Sequence, residues 1–175
     1  MQFEYRGVHT IISGGQTGAD RAGLEVARKF SIATGGVAPL GYRTQAGSDL
    51  SLQQFGLSED TTTNYASRTK KNVLLADATL VFSTLPVSTG SALTINLCIA
   101  HQKPYLLVPL PVIESPTAIV EWIEKHQVRV LNIAGNRQRA IGTSSIYEIC
   151  VQVLTEVLFS LRDKQLLVIT DDRVI

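Results

Sequence analysis

Apolar and amphipathic stretches alternate along most of this chain. Short apolar runs at 8–12, 33–38, 79–82, 105–108 and 128–133 read as strands. Between and after them, helical periodicity covers 19–30, 63–75, 91–101, 117–126 and 146–161. This alternation predicts an α/β fold: a mostly parallel sheet with helices on both faces. The strands are apolar throughout, as expected where helices cover both sides. In the first helix Ala22, Gly23, Val26, Ala27 and Phe30 share one face, and Glu25 and Lys29 can pair at i,i+4 on the other. Ser115-Pro116 supplies an N-cap and a first-turn proline, and Ser145-x-x-Glu148 is a capping box. One domain is expected over 1–175, with a core of about 8–161 and a tail at 162–175. The polar segment 41–58 carries three glycines and predicts a long loop, a candidate lid. The tail from 165 contains Leu166-Leu167-Val168-Ile169, which predicts an edge strand or a contact with a neighbouring subunit.

The first strand candidate runs into Ser13-Gly14-Gly15-Gln16-Thr17-Gly18-Ala19-Asp20 and then a helix. Strand, glycine-rich turn and helix start form an anion site when backbone N–H groups stay unpaired and glycines admit the ligand. The dinucleotide fingerprint is not met, because Ser13 stands where its first glycine belongs and no acid follows Ala38-Pro39-Leu40. The P-loop is excluded too, since no Lys-Ser or Lys-Thr follows Gly18. Asp20 is a lone carboxylate in the first helical turn, where the helix dipole is expected to lower its pKa.

A second junction, Ser83 to Ser91, repeats the design. Ser88 or Thr89 caps the next helix, and Gly90 allows close approach. Thr89, Gly90, Ser91 and Thr94 are candidate ligand contacts there, as is Ser83 at the strand end. In a doubly wound sheet the two junctions are expected to border one crevice, with the first strand beside the strand after the crossover. On the helix at 63–75, Tyr65, Arg68, Thr69 and Asn72 share a face opposite Lys70, so Arg68 and Asn72 either bond loop backbone or line the cleft. Arg43 in the long loop is a solvated residue or a further clamp. Arg137 and Arg139 follow the last central strand, as solvated loop cations or as phosphate clamps.

Composition narrows the partners. The net charge of +1 over 175 residues gives no electrostatic reason for nucleic acid or anionic membrane. The first residues lack a signal-peptide pattern and no apolar run is long enough to span a bilayer, so a cytoplasmic protein is expected. Cys98 and Cys150 read as buried thiols, and His9, His101 and His126 share no metal-ligand spacing. No metal site and no catalytic set is expected.

With these blocks in hand, the chain resembles the molybdenum carrier protein family. The matching segments are 13–21, Gly35-Gly36-x-x-Pro39-x-Gly41-x-Arg43, Arg68-Thr69-x-x-Asn72-Val73, Asp77-Ala78-Thr79-Leu80, Thr89-Gly90-Ser91-Ala92-Leu93-Thr94 and Asn132-Ile133-Ala134-Gly135. The resemblance implies a Rossmann-like fold related to the cytokinin-activating phosphoribohydrolases. It implies binding, protection and transfer of molybdenum cofactor, a phosphorylated pterin, to molybdoenzymes. It also implies a homo-oligomer, tetramer or dimer. Two departures stand out. The family usually has Pro-Arg-Glu-Ser where this chain has Asn136-Arg137-Gln138-Arg139. The phosphoribohydrolase glutamate is missing, since Thr94-Ile95-Asn96-Leu97 contains no acid. The expectation is therefore a carrier without catalysis. A nucleoside monophosphate hydrolase and a nucleotide-sensing module remain the alternatives.

Overall fold

A computed structural model describes residues 4–111 and 115–170. Strand β1 (Thr10–Ser13) leads through the glycine turn into helix α1 (Ala19–Lys29), and β2 (Ala33–Ala38) follows. A small hairpin, β3 (Arg43–Thr44) with β4 (Gly47–Ser48), precedes a 3-10 turn at Leu50–Phe55 and β5 (Leu57–Glu59). Helix α2 (Tyr65–Leu75), β6 (Ala78–Thr84), α3 (Thr89–Ala100) and β7 (Tyr105–Leu110) come next. Helix α4 (Pro116–Lys125), β8 (Val130–Gly135), a hairpin of β9 (Ala140–Ile141) with β10 (Ser144–Ser145), and α5 (Ile146–Asp163) complete the fold. The five helices and five long strands read from the pattern are all present, with ends shifted by three residues at most.

The main sheet has six parallel strands in the order β5-β2-β1-β8-β6-β7. Strand β8 therefore separates β1 from β6, and the expected adjacency of those two is corrected. The reason lies in β8 itself: Leu131, Asn132, Ile133 and Ala134 are all buried, and such a strand needs partners on both edges. Counting β8 as the first strand turns the order into 4-3-2-1-5-6, a doubly wound sheet whose direction reverses between β8 and β6. Right-handed crossovers then place α1, α4 and α5 on one face and α2 and α3 on the other. The ends of the described chain lie side by side. The N–H of Val8 donates to the Leu166 carbonyl at 2.9 Å, and the N–H of Val168 donates to the Val8 carbonyl at 2.9 Å.

That pairing accounts for the described part of the tail, where Leu166 and Leu167 pack against the core of the same chain. Residues 171–175 of that segment lie outside the described residues. The main core joins Ile11, Val26, Leu80, Leu131 and Ile133 to α4 and α5 through Ile123, Leu154 and Leu158. A second cluster holds Leu24, Ala38, Tyr42, Leu52, Phe55 and Leu57. It corrects the long-loop expectation for 41–58, because Leu52, Phe55 and Leu57 anchor the segment and β5 extends the sheet. No helix among the described residues is long and apolar enough to cross a membrane.

Candidate functional site

A cleft of about 610 Å³ opens beyond the carboxyl ends of β1, β8 and β6, at the point where the strand order reverses. In open α/β sheets this is the place where ligands bind. Five segments wall it: the β1 turn with Gln16 and Asp20, the β3–β4 hairpin tip with Gln45, α2 with Tyr65 and Arg68, the start of α3, and the loop after β8. The two junctions singled out in the sequence do share one crevice, with the β8 loop between them.

The β1 junction is satisfied from within. The carboxylate of Asp20 accepts from the N–H of Gln16 at 3.2 Å and from the N–H of Gly14, and Arg68 Nη1 lies 3.4 Å from its Oδ2. Ser13 Oγ accepts from the Gly15 N–H at 3.2 Å and donates to the Asp20 carbonyl at 3.1 Å. Gln16 Oε1 takes the N–H groups of Thr17 at 3.0 Å and Gln45 at 2.7 Å. The Ala19 N–H donates to the carbonyl of Asn136 at 3.1 Å. Asp20, only 3% exposed, thus occupies the position that an external anion takes in an open glycine turn. Two glycines are needed for protein contacts. A Cβ on Gly14 would overlap the Arg68 guanidinium, and Gly18, at φ 89°, backs onto the carbonyl of Asn136. Gly15 packs beside Leu52 and Leu57. Burial pushes the Asp20 carboxyl above the usual carboxylate range, opposed by Arg68 and by the Gln16 and Gly14 N–H groups. This reverses the depressed value expected from the helix dipole, because desolvation of a buried carboxylate outweighs a terminal dipole.

The β6 junction is open. Ser88 caps α3 by accepting from the Ser91 N–H at 3.3 Å, and its hydroxyl donates to the Oγ of buried Ser91 at 3.0 Å. Thr94 lines the cleft and donates to the Gly90 carbonyl at 3.2 Å. Thr89 and Gly90 are exposed and line the cleft, and a Cβ on Gly90 would meet nothing within 4 Å. The first N–H groups of a helix have no partner inside it, and among the described residues those of Thr89 and Gly90 find no protein acceptor. Ser83 lies buried beneath this junction and donates to the Thr84 carbonyl at 3.1 Å.

The loop after β8 is tied to β6 and to the start of α5. The Asn136 N–H donates to the Phe82 carbonyl at 2.8 Å, and Asn136 Oδ1 accepts from the Thr84 N–H at 2.7 Å. Gln138 Oε1 accepts from the Tyr147 N–H at 2.9 Å, which fixes the loop to the start of α5. On this frame Arg137 lies over the Tyr65 ring at 5.1 Å, and Arg139 donates to Thr84 Oγ1 at 2.6 Å.

Of the residues singled out in the sequence, Gln16, Asp20, Arg68, Thr89, Gly90 and Thr94 line the cleft, as do Tyr65, Thr69, Ser88, Arg137 and Arg139. Ser13, Gly14, Gly15, Gly18, Ser83 and Ser91 stand behind its walls. Thr17 Oγ1 reaches Gln45 Oε1 at 3.3 Å and holds the hairpin tip. Asn72 is buried away from the cleft and clasps both backbone groups of Val37, at 2.8 and 2.9 Å. Arg43 is exposed on the hairpin and does not line the cleft. The inward stripe of α2 is as the helical phase required, with Arg68 half-buried and Lys70 exposed. Gln45 carried no signal in the sequence, since only the hairpin brings it to the β1 turn. Among the described residues, two buried donors at the cleft find no partner, Gln16 Nε2 and Arg68 Nε. Such groups cost stability unless a ligand or water meets them. Neither cysteine lines the cleft, so the chain offers no thiolate there.

No curated protein matches the chain. A crystal structure described as a "putative molybdenum carrier protein" from Syntrophus aciditrophicus SB is 38% identical, with a TM-score of 0.77. The match covers 87% of this chain and 95% of that one. The model of the circularly permutated YpsA SLOG family matches residues 11–158. A permuted order agrees with a sheet that becomes regularly doubly wound once β8 is counted first, and with chain ends that meet at Val8 and Leu166. The chain belongs to the circularly permutated YpsA SLOG family.

Proposed function

We propose that this protein binds a phosphate-bearing pterin, molybdenum cofactor, and carries it to molybdoenzymes without chemical change. The observation that carries the anion part of this reading is the open start of α3. There the N–H groups of Thr89 and Gly90 face a cleft that also holds Arg68, Arg137 and Arg139. The pterin part rests on the name of the 38% identical neighbour. In this proposal Thr89, Gly90 and Thr94 meet the phosphate, and Gln16, Asp20 and Arg68 border the remainder of the ligand. Ser13, Gly14, Gly15, Thr17, Gly18, Asn72, Ser83 and Ser91 hold those residues in place, and Arg43 stays outside the contact. In this proposal molybdenum stays on the dithiolene of its pterin and needs no protein thiolate; neither Cys98 nor Cys150 lines the cleft.

The carrier acts in the cytoplasm as a homo-oligomer. In the described part of the tail, Val168 and Ile169 are the large apolar residues still exposed for subunit contact, because Leu166 and Leu167 are spent on the chain's own core. Light scattering at micromolar concentration that returns a monomer mass would refute the oligomer. The ligand is tested by mass spectrometry of small molecules released from protein purified without oxygen. A pterin fragment is expected.

One observation favours a second reading, hydrolysis of a nucleoside monophosphate. Burial raises the pKa of Asp20, the carboxylate at the cleft, which is the direction a general acid needs. Against it, both Arg68 and the turn N–H groups already hold that carboxylate. A base-release assay on the parent and on Asp20→Asn separates the readings. Release that Asp20→Asn abolishes replaces the carrier with an enzyme.

A further inference from the structure

The charges around the cleft do not cancel. Arg68 is met by Asp20 at 3.4 Å, with side chains 13% and 4% exposed, so this pair contributes little net charge. Arg137 and Arg139 also line the cleft, and among the described residues neither is within ion-pair distance of a carboxylate. Their backbone frame is fixed by Asn136 and Gln138, and each guanidinium has a neutral rest, Arg137 on the Tyr65 ring and Arg139 on the Thr84 hydroxyl. Neutral rests orient a cation without discharging it. The opposite end of the cleft is different: Gln16, 4% exposed, presents an amide whose Nε2 has no partner among the described residues, beside the neutralised Asp20–Arg68 pair.

We infer that Arg137 and Arg139 make the cleft selective for a doubly charged anionic group over a singly charged one of the same shape. This rests on the anion-binding reading given above and adds the charge state of the ligand. Two uncompensated guanidinium groups on one short loop attract a dianion about twice as strongly as a monoanion at equal distance. Arginine forks suit the oxygens of a phosphoryl group. The group lies between the β8 loop and the start of α3. The uncharged part of the ligand then extends toward Gln16 and Gln45.

Phenyl phosphate and phenyl sulfate test this directly. They share a shape, and above pH 7 the phosphate ester carries about two negative charges where the sulfate ester carries one. Calorimetry at pH 8 is expected to show phenyl phosphate binding the parent protein about tenfold tighter than phenyl sulfate, a ratio set by one extra charge at close range. Arg137→Gln and Arg139→Gln should each reduce that ratio, and the double variant should bring it close to one. Lys70→Gln removes a cation from the outer face of α2 and should leave the ratio unchanged. Circular dichroism confirms that each variant is folded. Competition separates two sources of such a dianion: displacement by inorganic phosphate identifies a phosphoryl group, displacement by molybdate a metal oxyanion, and either supports the inference. Equal binding of both probes by the parent overturns the charge selectivity alone. So does a double variant that keeps the parent's ratio. Failure of the parent to bind either probe at millimolar concentration overturns the anion-site reading and this inference together.

Discussion

The two strand-to-helix junctions after β1 and β6 look alike in sequence, each with small hydroxyl residues and glycine ahead of a helix. In three dimensions they are opposites. The turn after β1 folds around its own carboxylate, Asp20, and uses its N–H groups and glycines to hold it. The junction after β6 caps one N–H group with Ser88 and leaves its first two at an open cleft. The difference is a single acid one turn downstream. A helix start accepts negative charge from whichever source is nearest, and a covalently attached carboxylate has no association entropy to lose. Glycine richness therefore marks close backbone approach without saying what approaches.

The largest effect that would break this comparison is the loss of the internal anion. Asp20→Ala leaves the Arg68 guanidinium and two turn N–H groups without their acceptor, and is expected to cost about 3–5 kcal/mol in denaturant unfolding, as for other broken buried pairs. The same variant should gain stability from added phosphate, which can enter the vacated cradle. A loss no larger than that of a surface change, with no phosphate effect, would mean that Asp20 is not the occupant.

Glycine replacement gives the next contrast. Gly14→Ala and Gly18→Ala force a Cβ into the Arg68 side chain or the Asn136 carbonyl, and each should cost about 1–3 kcal/mol. Gly90→Ala enters open space and should stay within about 0.5 kcal/mol of the parent. Similar costs at all three positions would erase the distinction between the junctions. Smaller again is the cap: Ser88→Ala removes one N–H acceptor at α3 and should cost about 1 kcal/mol in thermal unfolding.

The gentlest test compares two buried carboxylates by pH. Asp60 is held down at about 2, from the ordinary 3.8, chiefly by Lys71 at 2.6 Å. A folded value below the unfolded one adds stability that is present above pH 3.8 and is lost as pH falls toward about 2. Asp20 is raised, so its contribution runs the other way: present in acid, and lost as pH rises through its folded value. Lys71→Met should flatten the acid side of the stability profile, and Asp20→Asn should flatten the side above pH 4. Profiles that change on the opposite sides would contradict both assignments.

Much of this architecture was legible in the chain because burial imposes periodicity. The five helices and five long strands follow from it, and the phase of α2 placed Arg68 inward and Lys70 outward. The rest was not legible, each part for a physical reason. The place of β8 between β1 and β6 depends on long-range pairing, Ile11 with Leu131 on one edge and Ala78 with Leu131 on the other, which no local pattern encodes. The segment 41–58 reads as a loop because its anchors, Leu52, Phe55 and Leu57, are too few and too scattered to show a period. The pKa of Asp20 was expected to fall because the sequence displays the helix start and conceals the burial. Asn72 showed its inward direction but not its partner, the backbone of Val37 on a neighbouring strand.

The central claim is that an anionic ligand meets the start of α3 and the β8 loop, while the glycine turn stays filled by Asp20. Amide chemical shifts, followed by two-dimensional NMR as phenyl phosphate is added to the parent protein, test it most directly. The account predicts large, saturable shifts at the Thr89 and Gly90 amides and at the Arg137 and Arg139 side-chain Nε–H groups, with Gly14, Gly15 and Gln16 amides little changed. Saturable shifts concentrated on the Gly14, Gly15 and Gln16 amides, with Thr89 and Gly90 still, would contradict it.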